Sequence, residues 1–300
     1  MVSILIPTYN YDITALVNNI LMQAKGLKEA YEIIVCDDCS NNNISLLKNK
    51  SFCIKNQLVF LENPNNLGRT KTRQILAQKA KYNWLLFLDS DVLPKSNTYL
   101  LNYIKHITPE LDLIYGGFTY EKQKPEPDYY LRWYYGKEKE DIEAKLRSKK
   151  PYKTIISANI LIRKEAFLNV NSHLTDNRYG YDNYFSIQLK QHNYKVLHIN
   201  NEVFHLGLEK NEVYLKKKEQ AAETIYHLYQ LNKFKDPHIN GLLHSFLTLK
   251  KYHLKNIYLF LFKLVKPIFT KNLLSKTPSI LILNLYRLGY FCSLTKQKNA

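Results

Sequence analysis

What is scarce in this chain of 300 residues narrows the field before any motif is read. There are only four cysteines, Cys36, Cys39, Cys53 and Cys292. Cys36 and Cys39 form a CxxC around Asp37-Asp38, but no second pair completes a zinc site. Reduced structural thiols in a cytosolic protein are therefore expected. No stretch of about 18 uncharged apolar residues occurs, which argues against a membrane-spanning helix. Met1 runs directly into "VSILIP" with no basic leader or small-residue cleavage site, so no signal peptide is expected. Neither GxGxxG nor GxxxxGK(S/T) is present, and the glycine-built phosphate cradles are thus missing. No internal repeat or Gly/Ser linker interrupts the chain. Acids are absent from Gly241 to Ala300, whereas that segment holds ten Lys/Arg.

What is present reads as an α/β domain. "VSILIP" is a short buried strand stopped by Pro7. In "DITALVNNILMQA" the apolar Ile13, Leu16, Val17, Ile20, Leu21 and Ala24 recur at helical spacing. "YEIIVCDD", "QLVFLENPNN" and "NWLLFLD" are three further strands, with a helix over "RTKTRQILAQKAKY". Near-continuous apolar strands alternating with helices predict a parallel sheet covered on both faces. Ligands bind such sheets beyond the carboxyl ends of the strands. Those ends are Thr8-Tyr9-Asn10, Asp37-Asp38, Asn63-Pro64-Asn65 and Asp89-Ser90-Asp91. Four strands thus deliver polar residues to one edge. Farther on, "LDLIYGGFTY" reads as one strand and Tyr129–Arg147 as one helix.

Asp89 and Asp91 follow a buried strand at once. Like charges at that spacing repel unless a cation lies between them. A divalent ion held by one or two carboxylates, its shell completed by substrate phosphates, would also replace the absent glycine cradle. An acid-x-acid triplet is common, and Glu126-Pro127-Asp128 and Asp141-Ile142-Glu143 read as solvated charge. Position at the end of a fourth parallel strand distinguishes Asp89 and Asp91.

"VSILIPTYN", "EIIVCDDCSNN", "NPNNLGRTKTRQ" and "WLLFLDSDVLP", in that order, resemble the N-terminal half of a family 2 inverting glycosyltransferase. "YGYDNYFSIQLKQHNYKVLHI" and "VFHLG" resemble its acceptor-side segment and late histidine. The resemblance implies a GT-A (Rossmann-like), mostly parallel sheet flanked by helices. It implies transfer from a nucleotide-sugar donor, a UDP-sugar by expectation, to a hydroxyl. Pro7, Thr8 and Tyr9 would line the nucleotide pocket, Asp38 would accept from the base while Asp37 supports its loop, and Arg73 would face the nucleotide. Asp89 and Asp91 would form a DxD motif on Mn2+ or Mg2+, Asp91 the more direct ligand, with His205 approaching from the far side. Asp182 would be the general base. Where the family often has two adjacent acids, this chain has Tyr181-Asp182, so one carboxylate remains. Each assignment has a structural alternative: Asp38 as a turn cap, Asp182 as a helix N-cap, His205 as a core histidine. Arg69 and Lys71 read as a solvated helix face.

The expected organisation is a glycosyltransferase domain over 1–238, with a nucleotide-sugar half (1–100) and an acceptor-side half (101–238). A basic amphipathic helical tail over 239–300 follows. Leu, Phe and Ile mixed with lysines suit an anionic membrane surface, the alternative being a helical cap on the domain. The protein would then work in the cytoplasm, peripheral to the inner face of the cell membrane, on a glycan or lipid-linked acceptor. Two other classes compete. A nucleotidyltransferase making an activated sugar would carry a Gly-rich phosphate loop that "IPTYNYD" lacks. A nucleic-acid-binding protein would suit the formal charge of +17, but that charge concentrates in an aliphatic tail without a nucleic-acid motif.

Overall fold

The computed structural model describes residues 1–153, 155–172, 178–234 and 240–295. In chain order the elements are β1 (Val2–Thr8), α1 (Thr14–Ala24), β2 (Tyr31–Asp37), α2 (Asn43–Lys55), β3 (Val59–Glu62), α3 (Arg69–Lys79) and β4 (Trp84–Leu88). Next come β5 (Val92–Pro94), α4 (Tyr99–Ile104), β6 (Leu113–Tyr115), β7 (Phe118–Thr119), α5 (Tyr130–Lys139), α6 (Ala144–Arg147), β8 (Asn159–Arg163) and α7 (Lys164–Ser172). The chain continues through α8 (Tyr181–Gln191), β9 (Val196–His198), β10 (Val203–His205), α9 (Asn211–Gln230), α10 (Gly241–Lys251), α11 (Lys255–Leu273) and α12 (Ile280–Leu294).

Two compact units divide these elements. The first comprises residues 1–120, 140–177 and 188–207; the second comprises 121–139, 178–187 and 208–300. In the first, a seven-stranded sheet runs in the order β3-β2-β1-β4-β8-β6-β9. β3, β2, β1 and β4 are mutually parallel, whereas β8 runs against both β4 and β6. β1 and β4 are buried almost throughout, as expected of central strands covered on both faces. A second sheet, β5-β10-β7, has three strands.

Two sequence expectations needed correction. "LDLIYGGFTY" is not one strand: Gly116-Gly117 break it, and β6 and β7 join different sheets. Gly117 sits at φ +92°, a conformation that ends a strand run. The helix expected over Tyr129–Arg147 is two, α5 and α6, with Glu140–Glu143 between them.

In the first unit, Asn159 organises the centre. It is fully buried, its Oδ1 accepts from the hydroxyls of Tyr99 (2.5 Å) and Tyr103 (2.7 Å), and its Nδ2 donates to Gly117 O (2.7 Å) and Asn201 O (3.1 Å). One amide thereby fixes the end of β8, α4 and the Gly116-Gly117 break.

The second unit is helical around one apolar cluster. Leu131, Tyr214, Ile225, Leu243, Phe246, Leu259, Phe262, Leu283 and Phe291 all belong to it. Packing thus joins α10–α12 to α9 and to Leu131 of α5. The expected boundary at 238/239 itself lies outside the described residues.

Candidate active site at the carboxyl edge of the sheet

The carboxyl ends of β1, β2 and β3 are laced together by backbone bonds, Asp38 N–H to Thr8 O (2.9 Å) and Asn63 N–H to Asp37 O (2.9 Å). Asn10 follows β1 in the left-handed region (φ 51°), where Asn is tolerated better than most side chains. It receives no strain relief from glycine but is tied at both ends: its N–H donates to Ser40 Oγ (2.7 Å) and its Oδ1 accepts from Asn42 N–H (2.9 Å). Pro7 is half-buried, Thr8 is buried, and the Tyr9 side chain is 45% exposed beyond the strand end.

The two acids after β2 have separate partners. Asp37 accepts from Ser40 N–H and Ser40 Oγ, each at 2.7 Å, and so caps the "DDCS" turn. Asp38, 5% exposed, accepts from Leu67 N–H (2.9 Å), Gly68 N–H (2.7 Å) and Asn63 Nδ2 (2.8 Å). It therefore folds the Asn63–Gly68 loop and starts α3 in place. Three donors leave its carboxylate with unused acceptor positions. Gly68 takes φ +79° at that junction, the region where glycine carries no side-chain penalty.

α3 aims two guanidiniums at the end of β4. The buried Arg73 forms an ion pair with Asp89 through Nη2, and Arg69 Nη2 lies 3.1 Å from the same carboxylate. Arg69 is thus no merely solvated residue, although its side chain is 47% exposed. Burial disfavours ionised Asp89, but the charges of Arg73 and Arg69 outweigh it and hold the carboxyl below its ordinary range. The charge that meets Asp89 here is guanidinium.

Asp91 faces elsewhere. It directly precedes β5, and β5 pairs antiparallel with β10 so that Val92 lies opposite His205. His205 Nε2 consequently sits 3.6 Å from Asp91 Oδ2, and Leu206 N–H donates to Asp91 O (2.8 Å). The imidazole lies among the rings of Phe118 and Tyr120. Gly207 completes the approach: a Cβ there would collide with the Asp91 carboxylate. Tyr11 is also within reach of this charge. Burial, then the charges of Asp91 and Asp12, push its phenol above its usual pKa.

The first unit thus gathers Pro7, Thr8, Tyr9, Asp38, Arg73, Asp89, Asp91 and His205 at one edge. Asp182 belongs to the second unit, half-buried in the first turn of α8. Among the described residues no group of three His, Cys, Asp or Glu is arranged to hold a metal. Asp91 with His205 is a two-donor set, which fits a hard divalent ion whose remaining ligands are phosphate oxygens. Asn63 lies at a strand end already expected at this edge, whereas Tyr11, Gly68 and Gly207 were given no role from the sequence. The glycines of "NNLG" and "HLG" were the available signal.

The buried thiols have no part in this edge chemistry. Cys36 is pushed up to about 12 by burial and by Asp38 and Asp37, and Cys53 and Cys292 up to about 11 by burial, so all three stay protonated.

Comparisons place this architecture. The structure of the S. aureus TarS 1–349 fragment shares the fold with a TM-score of 0.50 at 19% identity, over 75% of this chain and 65% of that one. The mannosyltransferase PcManGT from Pyrobaculum calidifontis, solved in complex with GDP-Man and Mn2+, has a TM-score of 0.53 at 13% identity over 76% and 64%. A protein of Haemophilus influenzae named an uncharacterized glycosyltransferase is 31% identical over 140 residues, 42% of this chain and 45% of that protein. The chain thus spans less than half of that relative's length. The sequence model of glycosyl transferase family 2 matches residues 3–170, and the chain belongs to that family.

Proposed function

We propose that the chain transfers a sugar from a nucleoside-diphosphate donor to an acceptor hydroxyl, with inversion, at the edge formed by β1–β4 and β10. The reading rests above all on the Asp91–His205 pair, set beside an Asp89 already neutralised by Arg73 and Arg69. Family membership favours transfer over nucleotidyl chemistry or nucleic-acid binding. Likeness to a fold seen with UDP-GlcNAc in TarS and with GDP-Man and Mn2+ in PcManGT supports a nucleotide-sugar donor and a divalent ion. A uridine donor is the first choice.

Pro7, Thr8 and Tyr9 would line the nucleoside pocket, with the exposed Tyr9 ring beside the base. Asp38 would meet the base with the lone pairs its loop leaves unused. Asp91 and His205 would hold Mn2+ or Mg2+, with Asp89 supporting them from its arginine pair. Bound there, the ion would neutralise the diphosphate and the charge that grows on it as the glycosidic bond breaks. Arg73 and Arg69, paired with Asp89 two positions before Asp91, add positive potential to the same edge. Asp182 would take the proton from the acceptor hydroxyl as its oxygen attacks the anomeric carbon. The C–O bond to the diphosphate breaks, the nucleoside diphosphate departs, and configuration inverts. The acceptor would be a glycan or a lipid-linked sugar at the inner face of the cell membrane.

Nucleotide release from a panel of nucleotide sugars with Mn2+ or Mg2+, with and without EDTA, tests this. Donor-dependent release that vanishes in EDTA is expected, with Asp91→Asn about 1,000-fold slower than the parent. Release unaffected by EDTA and by Asp91→Asn would reject the metal assignment. Asp182→Asn is expected to bind donor normally while losing transfer; lost donor binding would reject it as the base.

A further inference from the structure

Helix α11 is apolar on two sides. Leu259, Phe262 and Leu273 are buried in the core of the second unit. On the other side Ile257, Phe260, Leu261, Leu264 and Ile268 are between 53% and 67% exposed. At the helical repeat these five fall within an arc of about 100°, a single stripe along the helix. Isolated exposed apolar residues need no explanation, but a contiguous stripe marks a docking surface.

The surroundings of the stripe carry one sign of charge. At the helical repeat Lys263 flanks the stripe and Lys271 continues it, both exposed, whereas Lys266 lies on the far side over the Tyr286 ring; Lys250 and Lys251 at the end of α10 and Lys276 after α11 are exposed as well. Residues 241–300 offer no acid to neutralise them. An occupant must therefore be apolar at its centre and anionic at its border. A second copy would bury the stripe but oppose like-charged borders. Nucleic acid would meet the lysines and leave the stripe in water. An anionic leaflet answers both demands: the acyl boundary receives the side chains while headgroups meet the lysines. Among the described residues no helix is long and apolar enough to cross a membrane, which leaves a helix lying in the interface.

We propose that α11 docks flat on an anionic lipid surface through the stripe from Ile257 to Ile268. This assigns the membrane contact to one face of one helix, and it is independent of the transfer reaction. Vesicle binding can hold with no donor turned over, and the reverse.

Flotation of the full chain with vesicles containing about 30 mol% phosphatidylglycerol in phosphatidylcholine, against phosphatidylcholine alone, is the test. The protein should float with the anionic vesicles and do so about tenfold less at about 0.5 M NaCl. Phe260→Ser combined with Leu264→Ser should reduce flotation at least about tenfold with an unchanged melting curve, since both side chains are exposed. Lys263→Gln combined with Lys271→Gln should weaken binding to anionic vesicles about tenfold. Failure of the parent protein to float, or equal flotation of the double serine variant, overturns the proposal. A concentration-dependent dimer abolished by the same serine pair, without vesicle binding, also overturns it by giving the stripe to a second copy.

Discussion

At the edge of the first unit, Asp37, Asp38 and Asp89 are each met by donors that the fold supplies: a turn, a loop's N–H groups, two guanidiniums. Along α10–α12 the opposite holds, for exposed lysines border an exposed apolar stripe and the segment contains no acid. One region has its charge settled internally; the other presents charge outward. Charge settled internally is positional, because a buried carboxylate without a partner is costly and the chain must hold that partner in place. Charge presented outward is compositional, and its consequence is association. The +17 total therefore says little about the edge where chemistry is proposed.

Substitutions can break this contrast, beginning with the deepest polar group of the first unit. Asn159→Leu should destabilise by about 4 kcal/mol in denaturant unfolding, because it removes the side-chain acceptor of two buried tyrosine hydroxyls and a buried donor to two carbonyls, only some of which keep a second partner. Next, Arg73→Met should cost about 3 kcal/mol, against less than about 1 kcal/mol for the half-exposed Arg69→Met. Equal effects would show that burial does not separate the two arginines. At the outward-facing end, Lys263→Gln should change stability by less than about 0.5 kcal/mol.

The smallest expected effect is a pH dependence. His198 Nε2 donates to Pro151 O (2.8 Å). Burial holds its pKa below 6.5; the Pro151 bond opposes the shift and the Arg147 charge adds to it. The unfolded chain therefore takes up a proton at higher pH than the folded one. The contribution is complete above pH 6.5 and is lost as pH falls below it. His198→Gln should flatten the decline in melting temperature between about pH 7.5 and 5.5. An unaltered slope would assign that decline to other groups.

The parallel half of the fold was legible because buried strands are read as apolar runs, and β1, β2 and β4 are such runs. The break at Gly116-Gly117 was harder to see, since strand-forming residues flank it on both sides and the departure of β6 and β7 into different sheets leaves no local mark. At the edge, types and order of residues were visible in "TYN", "DDCS" and "DSD", but partners were not. Asp37 and Asp38 are neighbours in sequence with unrelated acceptor roles, and Arg69 reaches Asp89 across 20 residues.

By itself the sequence determined the strand–helix alternation, the family and the one-signed tail, because each is carried by local pattern or composition. Only tertiary structure decided that Asp89 belongs to arginines while Asp91 meets His205, and that Gly207 must lack a side chain. Those outcomes depend on the register of β5 against β10 and on the direction of α3. Such register and direction are set by packing among residues far apart in the chain, which no local pattern encodes.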